Sequence, residues 1–321
     1  MNGLNNEVLA IIPRLPLKVQ SYEPINWKRE QTTPIFIINA QEGKYVLKLF
    51  SSPQGLVRQT LHRLFGNLGL KNQIIINNFL KEQVFFQFCM PILVASDSSS
   101  YLLFQFINIA HKGEYEINED LVIDSLIEFY SIPGQKIAMN LTNYLIKFTR
   151  KPLFLILRRV VGNLRKIYGI SLAYAVIKVL FECYVDQKPF SSKILLHNDF
   201  HHNNVFLDFD GRFYISDFEN SVFESRWMLV DIVHYSVGTQ TFNLNTTVIK
   251  KFFLRYVENN PNFKIDFRAQ LLMAYLLRIS QMVLSTVPPK SVQKRYFKFF
   301  YNVLLNRKNF EKWVSKRFFD F

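Results

Sequence analysis

The densest run of chemically capable side chains lies between Lys193 and Ser221, KILLHNDFHHNNVFLDFDGRFYISDFENS. His197, Asp199, His201, His202 and Asn204 fall in one short polar stretch, and Asp217 and Glu219 follow. Two chemistries could use such a set. Histidines with an aspartate can hold Zn2+. Aspartate, asparagine and glutamate oxygens instead suit Mg2+ around phosphates, with a further carboxylate beside an attacking hydroxyl, which is what phosphoryl transfer requires. The zinc reading finds little elsewhere: His62, His111 and His234 are scattered singly, and no Cys-rich stretch completes a ligand set. The oxygen-donor reading is preferred.

These residues need rigid supports. Ile194–Leu196 reads as a short apolar strand, and Val205–Leu207 and Phe213–Ile215 as two apolar runs around Asp210–Gly211. Asp-Gly between apolar runs is a strong hairpin signal. Polar chemistry thus stands at both ends of a small hairpin, with Asp199 and Asn204 before it and Asp217 after it.

Asp199 followed five residues later by Asn204 has the spacing of a kinase catalytic loop, and Asp217-Phe218-Glu219 stands where a second metal-binding Asp is carried. The stretch resembles the aminoglycoside phosphotransferase and choline-kinase-like branch of the protein-kinase-like fold, whose members read H-x-D-x-H-x-x-N and then D-[FW]-E. His197, Asp199, His201, Asn204, Asp217 and Glu219 match in order. The resemblance implies an α+β, two-lobed architecture. A small lobe, residues 1–107, would hold an antiparallel five-stranded sheet and one helix. A mainly helical lobe, residues 108–321, would carry the catalytic-loop hairpin, with the loop at 197–204 and the metal-binding segment at 217–219. It implies an ATP- and Mg2+-dependent kinase acting on an alcohol group. Asp199 would orient or deprotonate the acceptor hydroxyl, and Asn204, Asp217 and Glu219 would hold metal. His197 and His201 would support the loop, and Asp231 would buttress it.

Upstream, Ile35–Ile38 and Lys44–Phe50 read as strands, with Lys44, Val46 and Lys48 on one face. The resemblance makes Lys48 the lysine that holds the nucleotide phosphates. No glycine lies between Gly3 and Gly43, so the nucleotide loop would be built from Gln31, Thr32 and Thr33. Residues 51–78 read as an insertion, and a helix is expected after Asn77–Asn78, good capping residues. Glu82 is the only acidic residue between Glu42 and Asp97, and so the local candidate to pair with Lys48. Met90–Ala95 and Tyr101–Ile107 complete the sheet, and backbone groups of Gln105, Phe106 and Ile107 would receive the adenine. Residues 1–30, broken by Pro13, Pro16 and Pro24, read as an irregular or weakly stranded lead-in.

Helices are expected over about 115–131, 137–150, 152–168, 171–185, 246–259, 266–286 and 290–315. The chain has 321 residues and a formal net charge of +14, which favours anionic partners. Between Glu128 and Glu182 there is no carboxylate, against Lys136, Lys147, Arg150, Lys151, Arg158, Arg159, Arg165, Lys166 and Lys178. A polycation opposing that field would cost on the order of 1 kcal/mol per close like-charge pair. A small molecule, sugar or glycolipid headgroup is therefore expected as acceptor, and an aminoglycoside is not. The basic stretch Arg158–Lys166 and the basic, aromatic C-terminus suit a peripheral contact with an anionic membrane. Nucleic acid is not expected, because no recognised motif accompanies the basic residues. MNGLNNEVLAII lacks a basic n-region, no apolar run reaches the roughly 18 residues of a spanning helix, and Cys89 and Cys183 read as buried thiols. A cytoplasmic location follows, with peripheral contact at the inner membrane face. The competing function classes are a catalytically weak kinase-like binding module and a basic scaffold for membrane or nucleic acid.

Overall fold

The computed structural model describes residues 2–25, 34–50, 67–97, 99–111, 117–132, 148–149, 151–159, 169–186, 193–224, 226–261, 266–285 and 288–319. The expected loop at Gln31–Thr33, residues 51–66 of the expected insertion, most of the helix expected over 137–150 and the Arg165–Lys166 end of the basic stretch lie outside those residues.

In chain order the elements are α1 (Asn2–Ile11), β1 (Val19–Pro24), β2 (Ile35–Ala40), β3 (Gly43–Leu49), α2 (Leu68–Lys81), β4 (Leu93–Asp97), β5 (Tyr101–Gln105) and β6 (Ile109–His111). Then come α3 (Glu119–Ser131), α4 (Pro152–Arg159), α5 (Ile170–Asp186), β7 (Ile194–Leu196), β8 (Val205–Asp208), β9 (Phe213–Ile215) and β10 (Val222–Glu224). The C-terminal part is α6 (Val230–Ser236), α7 (Thr246–Asn259), α8 (Phe267–Leu284), α9 (Lys290–Phe299) and α10 (Arg307–Val314). By contact the chain falls into two units: Met1–His111 with Phe206–Asn220, and Lys112–Val205 with Ser221–Phe321.

The first unit holds a five-stranded sheet in the order β1-β2-β3-β5-β4, antiparallel throughout. Its strands bury both faces. On one, Phe36, Ile38, Leu47, Leu49, Tyr101 and Leu103 pack against Val8 and Ile11 of α1. On the other, Leu102 and Phe104 pack with Leu70 and Ile74 of α2, beside Val46. Each such buried side chain contributes about 1.5–3 kcal/mol. β5 is sandwiched, which is why YLLF reads as a continuous apolar run rather than an alternation.

Several expectations differ from the described structure. The lead-in is not irregular: α1 and β1 occupy it, and Pro13 lies in the 3-10 turn that ends α1 rather than within the helix. The sheet therefore carries two helices, not one. α2 begins at Leu68, capped by the Asn67 side chain accepting from Leu70 N–H, so residues 68–78 are helix rather than insertion. Asn77 lies inside the helix and donates to the Gln73 carbonyl at 2.8 Å. The hairpin also belongs with the first unit. β6 pairs with β8, and Ile215 N–H donates to the Cys89 carbonyl at 3.0 Å. Gly211, at φ 77°, makes its turn.

The second unit is helical around α8, whose side chains are buried on nearly every face. Asp266 caps it, its Oδ1 accepting from Arg268 and Ala269 N–H. β7 pairs with β10, and all three β7 residues are buried. The single helix expected over 290–315 is two helices, each running on into a π turn, because Asn306 interrupts it and caps α10 through Asn309 N–H.

Candidate active site

In the first unit the chemistry centres on Lys48. Register with β5 turns it, with Val46, to the α2 face, where it is buried. Its Nζ lies 2.8 Å from Asp217 Oδ1 and 3.8 Å from Glu219 Oε2, and 5.3 Å from the Phe50 ring centroid. Asp217 holds a left-handed backbone, φ 67°, a conformation that Asp tolerates better than most residues. The segment after it is tied from above by α2: Asn72 Nδ2 donates to the Phe218 carbonyl at 3.3 Å and the Glu219 carbonyl at 3.0 Å. Asn72 is a residue that the sequence reading missed, because it stood in the supposed insertion.

Among the described residues no ion pair joins Glu82 to Lys48. Glu82 is the C-cap of α2, past the helix end, where a carboxylate also faces the unfavourable end of the helix dipole. The carboxylates of Asp217 and Glu219 take that place. Along the expected adenine segment, Gln105 N–H donates to the Ile92 carbonyl at 2.9 Å and Phe106 N–H to the Lys44 carbonyl at 3.1 Å. Ile107 is the next residue, beyond the end of β5 and half-buried.

In the second unit the loop after β7 is built on Asp231, fully buried in α6. Asp231 Oδ2 accepts from His197 N–H at 2.8 Å and Oδ1 from Asn198 N–H at 2.7 Å. The Tyr130 hydroxyl reaches both the Met228 carbonyl, at 2.8 Å, and Asp231 Oδ2, at 3.1 Å. Burial pushes the Asp231 carboxyl up against the pull of these donors, and burial raises the Tyr130 phenol as well. Asn198 at φ 63° turns the chain so that Asp199 follows. Asn204 closes the loop, its Nδ2 donating to the Asp199 carbonyl at 2.9 Å and its N–H to the His201 carbonyl at 2.7 Å.

The histidines do not act together. His197 is buried, its ring 6.4 Å from that of Phe129 and 5.9 Å from that of Phe200. His202 packs 4.4 Å from the Tyr235 ring, and burial pulls its pKa down to about 4, so it is neutral near pH 7. His201 alone faces Asp199: its Nδ1 accepts from Asn203 N–H at 3.2 Å, which puts the proton of the neutral ring on Nε2, 3.6 Å from Asp199 Oδ1. Among the described residues no three His, Cys, Asp or Glu side chains form a metal-binding group. Asp199 Oδ1 is buried and has no hydrogen-bond partner among the described residues.

No protein-family model and no curated protein matches the sequence. Solved structures do. Choline kinase LicA from Streptococcus pneumoniae matches with a TM-score of 0.60 and 13% identity, over 98% of this chain and 100% of that one. The ternary complex of APH(2'')-IIa with streptomycin and ATP gives 0.60 and 13%, over 93% and 96%. A choline kinase from Cryptosporidium parvum Iowa II gives 0.57 and 10%, over 97% of each chain. The chain therefore has the protein-kinase-like fold shared by aminoglycoside phosphotransferases and choline kinases. No helix among the described residues is long and apolar enough to cross a membrane.

Proposed function

We propose that the protein is an ATP-dependent phosphotransferase that delivers the γ-phosphoryl group to a hydroxyl of a small molecule, sugar or glycolipid headgroup. One observation carries this reading. Asp231 holds a loop on which the Asp199 carboxylate stands with a buried oxygen that accepts no hydrogen bond among the described residues, 3.6 Å from His201 Nε2. An acceptor hydroxyl would satisfy that oxygen by donating its proton to it. Lys48 would hold the α- and β-phosphates, and the Ile107 N–H is the backbone donor offered to adenine.

The donor set fits Mg2+. Asp217 and Glu219 already converge on one cation, Lys48, and both offer hard oxygen ligands. Asn204 uses Nδ2 on the Asp199 carbonyl, so Oδ1 is the ligand atom it would offer. Asp217, Glu219 and Asn204 would hold the ion, and its positive charge would offset the charge that develops during transfer. The acceptor is expected to be neutral or anionic, given the nine basic residues and no carboxylate between Glu128 and Glu182. The fold is shared with both antibiotic and choline phosphotransferases, so the fold does not select among acceptors.

The test is ATP-dependent phosphate transfer across a library of hydroxyl compounds. Wild-type protein should act on a neutral or anionic member, and Asp199→Asn should lower turnover by about 10²–10⁴ with nucleotide affinity little changed. Near-normal turnover in that variant removes Asp199 from the mechanism. Nucleotide binding without transfer to any compound would favour a binding module, and efficient phosphorylation of kanamycin-like compounds would overturn the charge argument.

A further inference from the structure

Two features of the second unit have no part in phosphoryl transfer. The first is the outer face of α5. Ile170, Tyr174, Phe181 and Val185 recur there at helical spacing and are 63–74% exposed. Single exposed apolar residues are ordinary, but a stripe along one helix is not. The second is a row of lysines that occurs twice. Exposed Lys290, Lys294 and Lys298 follow one face of α9 and end at exposed Tyr301. The same spacing returns in α10 and its π turn as Lys308, Lys312, Lys316 and exposed Phe319. Their opposite faces are the buried ones, through Val292, Tyr296 and Phe300, then Phe310, Val314 and Phe318.

One member of the stripe, Tyr174, and the residue that ends the second lysine row, Phe319, line the same open cleft of ≈ 900 Å³, with Lys178, Leu305 and Arg307 beside them. Its carboxylates do not offset the lysine rows. Glu311 is paired with Arg307 at 3.1 Å, Asp266 is engaged in capping α8, and Glu182 stands one turn from Lys178.

The combination narrows the partner. A second copy would bring a net charge of +14 against the same charge. Nucleic acid would meet the lysines but leave the α5 stripe in water. An anionic bilayer meets both. Apolar and aromatic side chains enter the headgroup region, and lysines keep their ammonium groups at the lipid phosphates. We propose that this face docks the protein on an anionic lipid bilayer, with Ile170, Tyr174, Phe181 and Val185 entering the interface and the lysine row of α10, Lys308, Lys312 and Lys316, meeting the headgroups. The proposal does not depend on phosphotransfer; it keeps the basic, aromatic C-terminus expected at a membrane, adds the α5 stripe and leaves out the basic stretch at 158–166.

Cosedimentation with vesicles tests it. Wild-type protein should bind phosphatidylglycerol-containing vesicles, bind pure phosphatidylcholine vesicles far less, and release as salt rises. Lys312→Gln and Lys316→Gln should each weaken binding about fivefold. Tyr174→Ser with Phe181→Ser should weaken it by about tenfold or more at every salt concentration, with circular dichroism and solution ATP turnover unchanged. Absence of binding to anionic vesicles at low salt overturns the proposal, as does equal binding to neutral ones; neither measurement needs a variant. A dimer in sedimentation velocity that Phe181→Ser dissociates would assign the face to a second copy. Displacement from vesicles by poly(U), with tighter binding to the polymer, would assign it to nucleic acid.

Discussion

Asn198 turns through a left-handed backbone at φ 63° while its N–H donates to Asp231 Oδ1 at 2.7 Å. The strained turn and the buried carboxylate therefore depend on each other. Asp231→Ala would leave the His197 and Asn198 N–H groups buried without acceptors, at about 1–3 kcal/mol each. A loss of about 3–5 kcal/mol of unfolding free energy is expected from urea titration, a large share of the roughly 5–15 kcal/mol of a typical domain. Tyr130→Phe should lose only about 1 kcal/mol. Equal stability of Asp231→Ala and wild type in urea would show that the loop holds itself.

Lys48 Nζ and Asp217 Oδ1 form a cation–carboxylate contact at 2.8 Å. If Asp217 is a metal ligand as well, Asp217→Ala should abolish Mg2+-dependent nucleotide binding in calorimetry while the fold survives. Lys48→Ala should lower kcat/KM by about 10²–10³, as loss of a preorganised charge does. Stoichiometric zinc in the purified protein, lost on replacing His201 or His202, would favour the metallo-site instead.

Asn72 makes a narrower prediction. One amide group serves two carbonyls of the Asp217–Glu219 segment, so Asn72→Leu keeps the size of the side chain and removes both bonds. Stability should fall by about 1–3 kcal/mol. Turnover should fall about tenfold, through displacement of the metal-binding segment. Unchanged kcat with reduced stability would make Asn72 a packing residue only.

His202 gives the pH dependence. Its folded pKa is about 4, below the ordinary value of 6.5. Between those values the unfolded chain binds a proton that the folded one does not, so stability falls as pH drops from 6.5 to about 4 and levels off below. At about 1.4 kcal/mol per unit the full effect is roughly 3 kcal/mol. Urea midpoints measured across that range should show the slope, and His202→Phe should flatten it. A wild-type slope retained in the variant would point to another group.

The parts that could be read from the sequence share a local, periodic signal. β2, β3 and β5 announce themselves by apolar alternation or an apolar run, and the hairpin by Asp210–Gly211. α7 and α8 fall close to their expected spans, since Asn245 and Asp266 are clear caps. The failures come where a residue has two meanings. Pro13 and Pro16 read in the sequence as helix breakers, whereas in the structure they follow a helix. Asn77 has the side chain of a cap, yet it is a buried mid-helix residue bonded to its own turn. Glu82 was chosen as the only nearby carboxylate in sequence, but the partners of Lys48 lie far along the chain, at |i−j| = 169 for Asp217. No periodicity reports such a contact. The apolar spacing of Leu70, Ile76 and Leu80 could have extended α2 toward Leu68.

The first unit is not a continuous piece of chain: Met1–His111 is completed by Phe206–Asn220. A gene fragment ending at His111 would encode Lys48 without Asp217 and Glu219, and β6 without β8. The unit therefore cannot be expressed, or exchanged between proteins by recombination, as a simple N-terminal cassette. Moving it requires a second crossover that carries the hairpin along. Any recombinant that inherits Lys48 alone receives a buried ammonium without its carboxylates.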